Sequence, residues 1–85
     1  MFEPYTIFLK QAVHNSLRDL RRDRKQAIEK FIDDLSENPF DEGDFSETDR
    51  EGRVVYCKIV KDIAVTFYPD HPVKEIKILE IVRTP

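Results

Sequence analysis

The chain has 85 residues, of which 40% are apolar and 36% are charged, with only two glycines and five prolines. This composition is typical of one soluble globular domain, here 1–85, and it excludes a disordered, collagen-like or low-complexity chain. The net charge is −3, and six acids lie in 41–51 beside a single base, Arg50. The rest of the chain is mildly basic, so global charge disfavours a generic nucleic-acid binder without excluding local basic patches.

No apolar segment is long enough to span a membrane, and the first residues do not resemble a secretory leader. We therefore expect a cytoplasmic protein without a membrane partner. Cys57 is the single cysteine, and His14 and His71 are far apart in the sequence. This pattern predicts no disulfide, no metal and no cofactor.

The first part of the chain predicts a strand followed by helices. Tyr5–Lys10 is short, apolar and rich in β-branched and aromatic residues, which favours a strand. Apolar residues then recur at helical spacing in two stretches: Val13, Leu17 and Leu20, then Ala27, Ile28, Phe31, Ile32 and Leu35.

One straight helix over 11–36 would be about 39 Å long, which exceeds the diameter of a domain of this size. We therefore predict a helical hairpin that bends near 22–24, with Asp23 as the N-cap of the second helix. A single kinked helix is the alternative. Pro39 ends the second helix, because the residue before a proline avoids the helical conformation.

The last part of the chain predicts a three-stranded meander. Arg53–Lys61 and Ile63–Tyr68 alternate in polarity around a tight turn, which indicates a hairpin. Lys74–Arg83 is apolar on both faces near its middle, so we expect it in the interior of the sheet. We assign one face of the hairpin to the helices and the other to solvent. The predicted helix side is Val55, Cys57, Ile59, Ile63, Val65 and Phe67, and the predicted open side is Tyr56, Lys58, Ala64, Thr66 and Tyr68.

The predicted fold is α+β: an N-terminal strand, a helical hairpin and a three-stranded antiparallel meander. This order resembles the RelE/ParE toxin superfamily of type II toxin–antitoxin systems, and its RelE-like branch in particular. The resemblance runs through YTIFLKQAVHNSLRDLRRDRKQAIEKFIDDLSENP, the tyrosine-bearing strand RVVYCKIV and the final EIVR. It covers nearly the whole chain.

The resemblance implies a toxin whose helices pack on one side of the sheet and whose cognate antitoxin covers a groove. RelE-like members cleave mRNA in the ribosomal A site without a metal, using basic and aromatic side chains on the open face of the sheet. The expected partners are therefore an antitoxin, the ribosome and mRNA. ParE-like members inhibit DNA gyrase instead.

Metal-free RNA cleavage needs a group that takes the proton of the 2′-hydroxyl, cations that stabilise the phosphorane, and a proton for the leaving oxygen. Arg83 matches the basic residue that RelE-like enzymes place at the end of the last strand. Lys58 matches a basic position on an earlier strand, and Tyr56 would stack on a base. The predicted catalytic residues are Arg83, Lys58 and Tyr56. An ion pair with an acid of 41–51 is the alternative for Arg83.

A basic stripe on the first helix and its continuation is a candidate phosphate contact. The predicted RNA-binding residues are Arg18, Arg21, Arg22, Lys25 and Arg53. A solvated helix face is the alternative for the stripe. The sequence also predicts that Cys57 is a buried, unreactive thiol.

Three departures from the RelE-like pattern support a second interpretation. Ala64 stands where those enzymes carry an arginine, only Thr84 and Pro85 follow Arg83, and the acids of 41–51 would repel RNA. The sequence therefore leaves open a non-catalytic RelE-fold protein that binds an antitoxin-like partner, and a gyrase inhibitor.

Overall fold

The computed structural model describes residues 3–84, which form two layers, with the helices packed on one side of a sheet. The elements in chain order are β1 (Thr6–Leu9), α1 (Gln11–Arg18), α2 (Arg22–Glu37), β2 (Phe45–Thr48), β3 (Val54–Val60), β4 (Ile63–Asp70) and β5 (Glu75–Arg83). A single 3₁₀ turn, His71–Val73, connects β4 to β5. These elements confirm the predicted α+β class, and no helix within 3–84 is long and apolar enough to cross a membrane.

The five strands lie in the order β1-β5-β4-β3-β2. β1 runs parallel to β5, and every other neighbouring pair is antiparallel. β5 therefore lies inside the sheet, as its apolar middle predicts. The parallel β1–β5 pair is possible because the whole helical hairpin and the meander separate these strands in sequence.

The helical hairpin is confirmed, but its cap is not the predicted one. α1 ends at Arg18 and α2 begins at Arg22. Arg21 is the N-cap and makes no side-chain cap hydrogen bond, whereas Asp23 lies in the first turn of α2. The prediction of Asp23 as N-cap is therefore wrong, although its carboxylate still lies at the positive end of the helix dipole.

β2 was not predicted, because its residues lie in the acidic segment 41–51. All four of its residues are exposed, and it pairs only with β3. An edge strand that buries neither face has no apolar alternation, so the sequence gives no periodic signal for it.

The core lies between the helices and one face of the sheet. Phe67 is fully buried there, and its ring meets that of Phe31 edge-on with the centroids 5.8 Å apart. The buried residues of this cluster are Tyr5, Val13, Leu17, Ile28, Ile32, Leu35, Ile63, Val65, Phe67, Ile76, Ile78 and Ile81.

The predicted face assignment of β3 is wrong. Val60 pairs with Ile63 across the turn, so the two side chains lie on the same side of the sheet. Tyr56 and Lys58 pair with the helix-facing residues of β4, and therefore also face the helices. The prediction treated odd-numbered residues of both strands as one face, whereas a two-residue turn joins an even residue to an odd one. The residues of β3 that face away from the helices are Val55, Cys57 and Ile59.

Cys57 is nevertheless buried, as predicted, and the chain before β2 packs against its backbone. The Asp44 backbone N–H donates to the Cys57 carbonyl oxygen at 2.8 Å. Gly43 has φ +66°, and a Cβ there would lie 2.5 Å from the same oxygen, so only glycine fits. Burial raises the pKa of the Cys57 thiol, as expected of an unreactive cysteine.

Replacing Phe67 with alanine should lower the free energy of unfolding by about 3–5 kcal/mol, because it leaves a cavity in the core. Phe45→Ala is the matched control, since Phe45 is 50% exposed on the edge strand and should cost only about 1 kcal/mol. Urea denaturation measures both values. Equal losses for the two variants would contradict this placement of the core.

Candidate functional site

We call the side of the sheet that the helices do not cover the open face. Its side chains fall into rows that run across the strands, because paired residues lie side by side. One end of this face is apolar and the other end is ionic.

The apolar end is a row of side chains from three strands. Ile59 pairs with Ala64, and Ala64 pairs with Val82, so the three lie next to one another. Ile59 is 36% exposed and Val82 is 45% exposed. Phe45 extends this patch from β2, where it lies opposite Cys57. We call these residues, Phe45, Ile59, Ala64 and Val82, the apolar row.

The ionic end contains a cavity of about 500 Å³ between β2, the turn after it and the middle of the sheet. Val55 and Thr66 lie at its centre, and charged side chains surround them. The acids that line it are Glu47, Asp49, Glu51 and Glu80, and the bases are Lys10, Arg50 and Arg53. We call this region the ionic cavity.

Arg53 is the base most firmly held in the ionic cavity. Its Nε donates to Asp49 Oδ2 at 2.8 Å, and its Nη2 lies 3.3 Å from Glu51 Oε2. Its guanidinium carbon lies 5.0 Å from the centre of the Tyr68 ring. The hydrogen bond to Asp49 is the largest cause that raises the pKa of Arg53. The charge of Arg53 is therefore already matched by acids of the same chain.

Two carboxylates on the open face have no such match. Glu47 lies opposite Val55, and Glu80 lies opposite Thr66, so both side chains point to the open face. Both residues are exposed, and within residues 3–84 neither forms an ion pair. Lys10 and Arg50, which line the ionic cavity, also form no ion pair within residues 3–84. Glu47 and Glu80 differ from them in lying on β2 and β5, the strands that carry Phe45 and Val82 of the apolar row.

The structure does not place the predicted catalytic residues on the open face. Tyr56 packs against the core on the helix side, with its ring centroid 5.9 Å from that of Phe67. Lys58 also faces the helix side, and its Nζ lies 3.4 Å from Asp44 Oδ1. The expectation that Tyr56 and Lys58 share the open face is wrong, for the reason of register given above.

Arg83 is distant from Tyr56. Arg83 pairs with Ile63, whereas Tyr56 pairs with Phe67. The two pairs are therefore four positions apart along β4. That offset is about 13 Å, and the two strand spacings from β3 to β5 add about 10 Å across the sheet, so the Cα atoms lie about 16 Å apart. The three predicted catalytic side chains therefore do not converge on one reacting phosphate.

Arg83 is instead part of an ionic cluster around Asp62. Arg24 donates from Nε to Asp62 Oδ1 at 2.6 Å and from Nη2 to Oδ2 at 3.0 Å, and Arg83 Nε lies 3.3 Å from Oδ2. The Thr84 backbone N–H donates to the Asp62 carbonyl oxygen at 2.7 Å. Hydrogen bonding from Arg24 is the main cause that lowers the pKa of Asp62 to about 2. The cluster joins α2, the β3–β4 turn and the end of β5.

The sequence offers an ion pair as the alternative role of Arg83. The structure shows such an ion pair, but its acid is Asp62 and not an acid of 41–51. This cluster has a structural role in the geometry described, because Arg24 of α2 and Arg83 of β5 both bind the Asp62 carboxylate in the β3–β4 turn. It was not visible in the sequence, since Arg24 and Asp62 are 38 positions apart.

The predicted RNA-binding residues do not form a single surface. The stripe lies on the helical hairpin, where Arg18 donates to Asn15 at 3.2 Å and Lys25 lines a groove with Glu29. Arg53 lies on the opposite, open face. The RNA-binding roles of Arg18, Arg21, Arg22, Lys25 and Arg53 stay predictions.

Sequence reasoning missed three charged residues of the open face. Glu47 was missed together with β2. Lys77 and Glu80 are three positions apart, so simple alternation places them on opposite faces, but an irregularity in the register at Thr66/Phe67 returns both to the open face. Lys77 lies opposite Tyr68, with its Nζ 3.6 Å from Asp70 Oδ2.

Comparison with known proteins gives a match at the level of structure only. No family model and no curated protein matches the chain. A chain of the archaeal RelE–RelB complex from Pyrococcus horikoshii OT3 superposes with a TM-score of 0.80 at 19% identity, over 95% of this chain and 96% of that one. The chain has the RelE fold.

A second solved structure agrees. A chain of the RelBE2 toxin–antitoxin complex from Mycobacterium tuberculosis matches with a TM-score of 0.75 and 19% identity, over 95% of this chain and 99% of that one. The resemblance stated from the sequence is thereby confirmed for the fold. At this identity the RelE fold fixes the scaffold, and function has to be argued from the side chains.

The cluster at Asp62 predicts acid sensitivity. The ordinary pKa of this carboxyl is 3.8 and the folded value is about 2, so its ionised form stabilises the fold above pH 4, and that contribution is lost as the pH falls from about 4 to 2. The melting temperature of the wild type should therefore exceed that of Asp62→Asn at pH 6, and the gap should shrink toward pH 2. A gap that stays constant over this range would contradict the assignment. Glu37→Gln, at an exposed acid without an ion pair in the described chain, serves as the control.

Proposed function

We propose that this protein is the RelE-fold subunit of a toxin–antitoxin-type pair in the cytoplasm, that it binds an antitoxin-like polypeptide over its open face, and that it does not cleave RNA. The apolar row is the observation that supports this proposal. An exposed patch that joins four strands of a small protein favours a protein partner over a polyanion. Both solved structures of the RelE fold named above are complexes of a toxin with its antitoxin.

The electrostatics of the open face argue against RNA as its ligand. Stabilising a phosphorane requires cations aimed at the reacting phosphate. Ala64, the position of an expected arginine, contributes only a methyl group to the apolar row. Of the described cations nearby, Arg53 and Lys77 lie beside Asp49 and Asp70, so a polyanion would have to displace those acids before it gained either charge. Lys10 and Arg50 also line the ionic cavity, where four acids outnumber the three bases.

Ribosome-dependent mRNA cleavage is the second candidate function. It is supported by the RelE fold and by the grouping of Arg53, Tyr68 and Lys77 on the open face, which are the residue types that metal-free cleavage uses. In that case the catalytic group would differ from the predicted Arg83, Lys58 and Tyr56, or those residues would act from the helix side. Gyrase inhibition stays a prediction from the sequence, without a structural observation that favours it.

Expression of the protein in growing cells separates the two candidates. We expect translation to continue, and primer extension on translated mRNA to show no cuts at A-site codons, for the wild type and for Arg83→Ala alike. Cuts that appear with the wild type and vanish with Arg83→Ala would establish the endonuclease in place of our proposal. Cuts that persist in Arg83→Ala but vanish in Lys77→Ala would place the same activity on the open face.

The partner-binding proposal predicts a stable complex with the protein encoded by the adjacent reading frame, measured by co-purification and calorimetry. Val82→Asp should weaken it roughly a hundredfold, because the new charge would be buried in the interface. Val73→Asp is the matched control, since Val73 is an exposed apolar residue, 57% accessible, in the turn before β5. Equal effects of the two substitutions would contradict the open face as the binding surface.

A further inference from the structure

The cavity at the ionic end of the open face is lined by four acids and three bases, and within residues 3–84 the bases Lys10 and Arg50 form no ion pair. The segment 41–51, which supplies β2 and the wall of the ionic cavity, has six acids and one base. Asp44 is bound to Lys58, and Asp49 and Glu51 are bound to Arg53. Within residues 3–84, Glu47 on β2 and Glu80 on β5 form no ion pair.

These two carboxylates adjoin the apolar row. Glu80 is two residues from Val82 on β5, which is about 7 Å along the strand, and Glu47 is the same distance from Phe45 on β2. Phe45 of the apolar row is connected to Glu80 by three successive pairs across the sheet, Phe45–Cys57, Cys57–Thr66 and Thr66–Glu80. After burial, the charges of Glu47 and Glu80 are among the causes that raise the pKa of Cys57, which lies between them. The negative charges of Glu47 and Glu80 are therefore both felt electrostatically at Cys57, beside the apolar row.

Any polypeptide that covers the apolar row must also accommodate the negative charges of Glu47 and Glu80. A neutral or acidic segment would take the carboxylates out of water without a partner, which is unfavourable. A segment with lysine or arginine at its edge would pair with them while its apolar side chains cover the row. The difference in free energy between these cases decides which partner binds.

We infer that the segment covering the open face is amphipathic and basic, and that Glu47 and Glu80 receive its lysine or arginine side chains. The inference rests on the proposed function and adds the chemistry of the partner to it. A second copy packed open face to open face is disfavoured as the occupant, because its own acids would face the same acids.

Two synthetic amphipathic peptides of about 16 residues, or four helical turns, test the charge preference with the full chain. Both have the same leucine positions, and one has lysine where the other has glutamate. In titrations followed by NMR at low salt, the lysine peptide should shift the amide signals of Ile59, Ala64, Glu80 and Val82. It should bind at least about tenfold more tightly than the glutamate peptide. Equal binding, or tighter binding of the glutamate peptide, would overturn the inference.

Neutralising the carboxylates identifies the residues responsible. The double variant Glu47→Gln/Glu80→Gln should bind the lysine peptide about three- to tenfold more weakly and with a smaller dependence on NaCl. Glu37→Gln, which removes an acid at the end of α2 that has no ion pair in the described part of the chain, should bind like the wild type. If the double variant also binds like the wild type, the assignment to Glu47 and Glu80 is wrong.

The adjacent-frame protein separates failure of this inference from failure of the proposed function. A complex that survives the double variant unchanged, or whose covering segment is acidic, overturns the inference and leaves the proposed function intact. If no complex forms but the lysine peptide still binds clearly more tightly, the proposed toxin–antitoxin-type pair is overturned. The preference of the open face for basic peptides then stands.

Discussion

The two-residue turn between β3 and β4 determines what each face of the sheet displays. Lys61 adopts a left-handed backbone with φ +57°, and the turn closes with Val60 opposite Ile63. That register turns the phenol of Tyr56 toward the core and aligns Ile59, Ala64 and Val82 on the other side. The same turn supplies Asp62, whose carboxylate binds Arg24 and Arg83. The turn therefore fixes the hairpin register, the contents of both faces and the attachment of the last strand.

A second irregularity has a comparable effect on β5. The register between β4 and β5 shifts at Thr66/Phe67, and this shift brings Lys77 and Glu80 to the same face although their spacing is odd. Without it, Glu80 would point toward the helices, where a carboxylate would be buried without a partner. The acid at position 80 is thus compatible with the core only because the strand is irregular. This irregularity also gives the ionic cavity one of its walls.

The sequence predicts those parts of the structure that depend on local periodicity. The stripe that includes Val13 and Leu17 predicts α1, and the apolar middle of Lys74–Arg83 predicts an interior strand. The sequence does not predict β2, because an exposed edge strand shows no alternation. It also does not predict which face Lys58 or Glu80 occupies, because a shift of one residue in register reverses every side chain. The candidate site depends on those shifts in register. The sequence therefore predicts the fold but not most of the site.

The acids around β2 have a physical role even before any partner is considered. β2 offers unpaired backbone N–H and C=O groups along its outer side, and such an edge invites pairing with another copy of the chain. The acids of 41–51 make that approach repulsive, since each copy brings the same charges. The same repulsion would act on RNA and acidic peptides at the adjoining open face, so protection of the edge and the basic partner that we infer would follow from one distribution of charge. In our proposal, a RelE scaffold with this edge recognises a polypeptide and does not hold a reacting phosphate.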